Sequence, residues 1–256
     1  MRDRTRVALA SSNPLQRLWH FIFSKILFSL PISIRKKYYQ GNRYYCPICD
    51  THLSTFIVLH RHYHLFCPVC RSLRRHRLSW LLINQLGLID DLPQKMLHIA
   101  PEQSLSSRLK SVPGLEYISI DLYDSSAMVA MDIEKLDFSD NSFDIIYCSH
   151  VLEHVPNDYR AIEEIKRVLK PDGCAIIIVP ISADHTYEDL SITDPLERER
   201  LFGQHDHVRR YGPDFVQRLE DTGFKCSVYE TKDIAEVEEI DQLGLPGDEP
   251  IFVCKK

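Results

Sequence analysis

The sequence lacks three things that would have decided its class at once. It has no uninterrupted apolar run of membrane-spanning length. The nearest stretch, Leu15 to Leu30 (LQRLWHFIFSKILFSL), is interrupted by Arg17, His20 and Lys25, which leaves it too short and too charged for a comfortable spanning helix. No A-x-A-like cleavage site follows that stretch, which argues against a secretory signal. There is also no overall excess of positive charge: a net charge of −5 over 256 residues argues against the whole chain being a nucleic-acid binder. Internal repeats and low-complexity segments are absent as well.

What is present suits one α/β domain with a small appendage. A hydrophobic content of 44% can fill a sizeable core, and 26% charged residues is ordinary for a soluble protein. Charge is unevenly spread. Residues 1–45 carry nine Lys/Arg against one Asp, whereas Glu230 to Glu249 is mostly acidic, so an anionic partner would dock at the basic end. As a helix, the 15–30 stretch places Leu15, Trp19, Ile22, Ile26 and Leu30 on one side, followed by Arg35, Lys36 and Lys37. Residues 15–37 are thus either a helix packed on protein, the usual fate of an apolar stripe, or a peripheral contact with an anionic membrane.

The eight cysteines fall into two sets. Cys46-Pro-Ile-Cys49, seventeen intervening residues and Cys67-Pro-Val-Cys70 form a four-thiolate pattern within zinc-ribbon spacing. A segment this small cannot bury a core of its own, so a structural zinc would supply the folding energy. A redox role would need a single CxxC beside a thioredoxin-like pattern, which is missing. Cys148, Cys174, Cys226 and Cys254 stand alone beside apolar runs and read as small buried residues. Free thiols beside CxxC pairs point to a reducing, cytoplasmic setting. His60, His62 and His64 alternate between the knuckles. Arg71, Arg74, Arg75 and Arg77 open a helix running to about Leu86, either as a phosphate grip or as a solvated face.

Phe143 to Pro180 organises the remainder. Asp144 to Cys148 is an apolar run of strand length. Ile162, Ile165, Val168 and Leu169 recur at helical spacing, and Lys170-Pro171-Asp172-Gly173 is the expected stop. Cys174 to Val179 is an unbroken apolar run, as expected of a parallel strand covered on both faces. Strand, crossover helix and strand make a right-handed βαβ unit, whose ligands bind at the carboxyl ends of the strands.

On these residues, NSFDIIYCSHVLEHV followed by RVLKPDGCAIIIVP, the chain resembles class I S-adenosylmethionine-dependent methyltransferases of the type 11 group, with the resemblance covering roughly Leu97 to Cys254. It implies a doubly wound, mostly parallel seven-stranded sheet preceded by the zinc module. The expected layout is a basic segment over 1–42, a zinc-ribbon-like module and linker helix over 43–88, and the methyltransferase domain over 89–256. Met96 to Ala100, Tyr117 to Ile120 and Ala127 to Met131 should be its first three strands. Phe224 to Tyr229 and an antiparallel Ile251 to Cys254 should be its last two.

The resemblance also implies a cofactor, S-adenosylmethionine, along His98, Ala100 and Glu102 in the first turn, Asp121 and Leu122 after strand two, Asp132 and Ile133 after strand three, and Ser149 and His150 after strand four. Asp121 would accept the ribose hydroxyls, Asp132 would meet the adenine amino group, and Ile133 would pack on the ring. The family's first turn is glycine-rich. Here it reads HIAPEQS, with small Ala100, Pro101 holding the turn and Ser104 expected to cap the next helix.

His150, Glu153 and His154 spell H-x-x-E-H, the inverted zinc-protease motif. That motif needs one long helix for both histidines, whereas here it leaves a strand and meets Pro156, so a protease is set aside. In the methyltransferase reading His150, His154 and His207 are the candidate general bases. Residues 182–212 form a polar insertion whose Asp206, His207, Arg209, Arg210 and Tyr211 suit a polyhydroxyl or anionic acceptor. The expected function is methyl transfer to a hydroxyl or amine of a small-molecule or glycan-type acceptor. The alternatives are a zinc-knuckle RNA methyltransferase and a scaffold that has lost the cofactor.

Overall fold

The computed structural model describes residues 26–58, 65–90, 92–247 and 249–256. Residues 15–25 of the expected amphipathic helix, and His60, His62 and His64, lie outside them. In chain order the elements are α1 (Ile32–Tyr38), β1 (Gln40–Cys46), β2 (Thr51–Leu53), β3 (Ile57–Val58), β4 (Leu65–Phe66), α2 (Arg74–Gln85), β5 (Gln94–Ile99), α3 (Gln103–Leu109), β6 (Leu115–Asp121) and β7 (Val129–Ala130). There follow β8 (Phe143–Ser149), α4 (Asp158–Val168), β9 (Leu169–Ile178), β10 (Tyr187–Glu188), α5 (Pro195–Phe202), β11 (Arg209–Arg210), α6 (Phe215–Asp221), β12 (Lys225–Tyr229), α7 (Thr231–Ile234), α8 (Val237–Leu243) and β13 (Ile251–Lys255). No described helix is long and apolar enough to cross a membrane.

The chain forms two compact units. The smaller contains the described residues up to Gln85 together with Thr231–Gly247. The acidic stretch after β12 therefore completes the cysteine module, although the sequence placed it in the C-terminal domain. Arginines of α2 tie it there. Arg77, fully buried, donates to the carbonyls of Ser72 (2.8 Å), Leu65 (3.1 Å), Leu243 (2.7 Å) and Gly244, with its guanidinium 4.2 Å from the Phe56 ring centroid. Arg74 donates to the Leu245 carbonyl at 2.8 Å. Gly244 has φ +59°, and a Cβ there would lie 2.7 Å from Phe56 and 2.9 Å from Arg77, so only glycine closes this joint. Of the arginine run, Arg77 and Arg74 are thus neither a free phosphate grip nor a solvated face, since both are committed to backbone carbonyls, whereas Arg71 is exposed.

The larger unit contains Leu86–Glu230 and the chain from position 249 to Lys256. Its seven-stranded sheet has the order β12-β13-β9-β8-β5-β6-β7, with β13 antiparallel to both neighbours and the remaining pairs parallel. Ala175 to Val179 is fully buried, which accounts for its unbroken apolar sequence. Asn157 caps α4 by accepting from the Arg160 N–H at 3.0 Å, and Ala161, Ile162, Ile165 and Val168 enter the core.

The helix stops where expected, α4 ending at Val168, and Lys170–Gly173 continue directly as the first part of β9. Its register against β8 jumps between Phe143↔Leu169 and Ile145↔Cys174, so the extra residues are absorbed as a bulge. Gly173 makes that bulge fit, because a Cβ there would lie 2.8 Å from Leu169 Cδ1 and 2.9 Å from the Asp144 carbonyl oxygen. Ser104 does not cap α3. The N-cap position is Glu102, and Ser104 lies buried inside the helix.

Candidate active site and metal centre

In the smaller unit the two CxxC segments bring four sulfurs together. Cys46 Sγ lies 3.7 Å from Cys70 Sγ, and Cys49 Sγ lies 3.7 Å from Cys67 Sγ. A tetrahedral ion with Zn–S bonds of about 2.3 Å spaces its sulfurs about 3.8 Å apart, so the set fits zinc without rearrangement. Ser72 Oγ, 3.2 Å from Cys46 Sγ, and the Cys70 N–H, 3.5 Å from Cys67 Sγ, support the thiolates from outside.

In the larger unit, β6, β5 and β8 run parallel and end together, Ile99 pairing with both Ile120 and Cys148. Asp121, Ala100 and Ser149 therefore lie along one carboxyl edge. Two residues there have backbone that L-amino acids avoid: Ala100 has φ 51° and His150 has φ 55°. Such conformations cost of order 1–3 kcal/mol each and gather at functional sites. Ala100 thus takes the left-handed turn that glycine usually supplies, which is how a glycine-free turn works here. Its N–H donates to the Ile120 carbonyl at 2.8 Å, and the His150 N–H donates to the Ile178 carbonyl at 2.8 Å. Ser149 Oγ is buried with no hydrogen-bond partner.

The other expected cofactor residues divide. Asp121 Oδ1 accepts the N–H groups of Tyr123 and Asp124, each at 2.7 Å, and Asp132 Oδ1 accepts that of Glu134 at 2.9 Å, so each carboxylate also shapes its loop. Leu122 is exposed, whereas Ile133 is buried in the core. His98 does not reach the edge: it is fully buried, the Tyr117 hydroxyl donating to Nδ1 at 2.9 Å and Nε2 donating to Glu102 Oε2 at 3.2 Å. Its ring supports Glu102 from below. Burial, and then the Glu153 and Glu102 charges, push the Cys148 thiol up, which rules it out as a thiolate nucleophile.

The insertion after β9 folds back over the loop that follows β8. The Val208 N–H donates to the Glu153 carbonyl at 2.9 Å, and the rings of His154 and His207 meet edge to face with centroids 4.7 Å apart. The structure therefore joins His154 with His207. His150 is engaged differently, Nδ1 lying 3.2 Å from Glu153 Oε1 and Nε2 3.1 Å from Glu249 Oε1. Glu249 was not apparent from sequence, since only the antiparallel return into β13 brings it to this edge.

Arg209 and Tyr211 do not face an acceptor. Arg209, 1% exposed, donates to the carbonyls of Leu152 (2.6 Å), Val155 and Pro156 (2.9 Å) and to Glu188 (3.0 Å). The Tyr211 hydroxyl donates to Asp158 Oδ2 at 2.7 Å, and Arg218 pairs with the same carboxylate at 2.9 Å. This buried network latches the insertion onto the loop 152–156.

His207 has its pKa lowered by burial and then by the charge of His154, so it favours the neutral ring. Its Nδ1 lies 3.2 Å from the Phe202 carbonyl oxygen. A carbonyl only accepts, so Nδ1 carries the proton and Nε2 keeps its lone pair. His154 Nδ1 lies 3.3 Å from Asp206 Oδ2. Burial works against the Asp206 anion, yet Gln204 and the His154 charge outweigh it and hold the carboxyl below the usual range.

With this geometry established, similarity to known proteins can be read. Residues 91–177 match the family model described as a methyltransferase domain. The sheet order, with one antiparallel strand inserted beside β9, is that of the class I methyltransferase fold. The sterol 4-C-methyltransferase strm-1 of Caenorhabditis elegans is 36% identical over 62 residues, which is 24% of this chain and 19% of that protein. Cycloartenol-C-24-methyltransferase 1 of Oryza sativa subsp. japonica is 33% identical over 109 residues, 42% of this chain and 31% of that protein. The chain thus matches between a fifth and a third of the length of these relatives. A crystal structure of the cyclase SpnF superposes with a TM-score of 0.50 at 16% identity, covering 71% of this chain and 81% of that one. That likeness concerns the fold alone.

Proposed function

We propose that the larger unit binds S-adenosylmethionine and methylates a hydroxyl oxygen of a small-molecule or glycan-type acceptor, and that the four thiolates of the smaller unit hold a structural zinc. The observation that carries the reading is the convergence, at the carboxyl edge of a methyltransferase-family sheet, of two left-handed residues, an unpartnered buried serine hydroxyl and a pair of imidazoles. Ligands of open α/β sheets bind at that edge. Two relatives carry names of small-molecule methylation, a sterol 4-C-methyltransferase and a cycloartenol-C-24-methyltransferase, both at carbon; they support the small-molecule class and not the acceptor atom.

In this reading Asp121 and Asp132 hold the nucleoside through the carboxylate oxygens not spent on their loops. Ser149 and the backbone at Ala100 border the methionine end. Bound there, S-adenosylmethionine would supply a methyl group already activated on a sulfonium. The chain's own contribution is then mainly to align the acceptor, since alignment alone removes much of a bimolecular barrier. His154 and His207 are the side chains placed to meet an acceptor hydroxyl.

The test is a calorimetric titration with S-adenosylhomocysteine. The full chain should bind it, and Asp121→Ala should weaken binding by roughly 1.5–3 kcal/mol, the loss expected for hydrogen bonds to a charged group. A wild-type chain that takes up none of it would remove the methyltransferase reading.

A further inference from the structure

Glu153 is a buried carboxylate that meets only the His150 ring at ion-pair distance among the described residues. Its side chain is 1% exposed, and neither carboxylate oxygen has a hydrogen-bond partner among those residues. A buried anion needs a cation or donors to hold it there. Arg209, the buried cation of this loop, donates instead to the carbonyls of Leu152, Val155 and Pro156 and to Glu188. His150 Nδ1 lies 3.2 Å from Glu153 Oε1 without forming a hydrogen bond, and its other nitrogen is drawn to Glu249. One imidazole placed between two carboxylates does not neutralise both.

Two imidazoles lie beside this carboxylate. One ligating atom each from Glu153, His154 and His207 can be chosen so that all three lie within 4.8 Å of one another. The outer partners point the same way. His207 Nδ1 lies 3.2 Å from the Phe202 carbonyl and His154 Nδ1 lies 3.3 Å from Asp206 Oδ2, which leaves Nε2 of each ring to meet an ion. Imidazoles that ligate a metal are commonly oriented in this manner, by a carbonyl or carboxylate at the other nitrogen.

We propose that Glu153, His154 and His207 form a site for a divalent transition-metal ion, separate from the thiolate cluster. Two imidazoles and one carboxylate suit zinc, cobalt or manganese better than magnesium or calcium, which prefer all-oxygen sets. Metal–ligand bonds of about 2.0–2.2 Å place ligand atoms about 3–3.5 Å apart, so small side-chain rotations complete the coordination. Three protein ligands leave a position open. The motif that fails as a protease, because no long helix carries both histidines, acquires its third ligand from the insertion after β9. The open position lies at the edge where β8 ends. If the methyl-transfer reading holds, that position takes the acceptor oxygen, and acceptors offering two adjacent oxygens are the best chelators.

The experiment titrates the zinc-loaded full chain with Mn2+, following free Mn2+ by electron paramagnetic resonance. One saturable Mn2+ per chain is expected. Glu153→Gln and His207→Ala should each weaken it at least tenfold while zinc stays on the thiolates and the far-ultraviolet circular dichroism is unchanged. In the wild-type chain, Mn2+ should broaden the ring resonances of His154 and His207 before those of exposed His185, so the test stands even if a variant unfolds. Absence of a saturable site, unchanged affinity in both folded variants, or broadening that starts at His185 would each overturn the proposal. None of these readouts needs turnover, so a failed S-adenosylhomocysteine titration would remove the methyl-transfer reading and leave the metal site standing.

Discussion

Arg209→Met separates a structural arginine from a substrate-facing one. The methionine keeps much of the buried volume and removes every donor. Lost with those donors are the bonds to the Leu152, Val155 and Pro156 carbonyls and the pairing with Glu188. Removing one partner of a buried, hydrogen-bonded charge typically costs about 3–5 kcal/mol. A second route gives a lower bound. Pro156 is exposed and water can take over its carbonyl, and the Leu152 carbonyl keeps the Tyr211 hydroxyl and the Val155 N–H, which leaves the buried Val155 carbonyl at about 1–3 kcal/mol. For a unit of this size each kcal/mol lowers the melting temperature by about 2–4 °C, so a fall of roughly 6–20 °C is expected. Circular dichroism is the appropriate probe, because both tryptophans, Trp19 and Trp80, precede the larger unit. Two units also mean that a single two-state fit is not assured, and the melt should be read by its separate steps. An Arg209→Met chain that melts within about 1 °C of wild type, but needs far more acceptor to saturate, would refute the reasoning.

Three further outcomes follow from the geometry. A thiol-blocking mercurial should release one zinc per chain from the wild type, and Cys46→Ser should release none, as measured with a chromophoric chelator. Ala100→Gly should be neutral or stabilising by up to about 1–2 kcal/mol, because glycine relieves the left-handed backbone, and Ala100→Val should lower the melting temperature. The Arg167 hydrogen bond, against opposing burial, lowers the pKa of Glu164. A depressed carboxyl contributes stability above its unfolded value, near 4.3–4.5, and loses it as pH falls through the lower folded value. The stability of the chain should therefore fall in acid below about pH 4.5, and Glu164→Gln should flatten that slope; an unchanged slope would show that Glu164 carries none of it.

Much of this protein was legible in its residues because the signals were local. The four-cysteine cluster follows from two CxxC knuckles, and the sheet follows from a strand, helix and strand around positions 143–179. Parallel strands leaving one edge led to the expectation that His150 and His154 face His207 and Arg209; the structure joins His154 with His207, while His150 turns to Glu153 and Glu249 and Arg209 to backbone carbonyls. Where local signals failed, the deciding contact was distant in sequence. Lys170–Gly173 does end the helix, but that the missing Cβ of Gly173 also serves a bulge against Asp144 was not legible. The glycine-free turn reads as a variant, and only the structure shows that Ala100 adopts the left-handed conformation glycine usually supplies. Arg77 reads as a phosphate grip or a solvated face and Arg209 as an acceptor contact, because a guanidinium's partners here are backbone carbonyls, which no residue type announces. Glu153 is the sharpest case. In the sequence it is the acidic member of an H-x-x-E-H motif set aside as a protease signature, and only the tertiary structure buries it and brings His207 beside it. Local pattern determined which elements form and in what order. Desolvation, which depends on what the rest of the chain covers, decided which charged groups became structural and which remain available for chemistry.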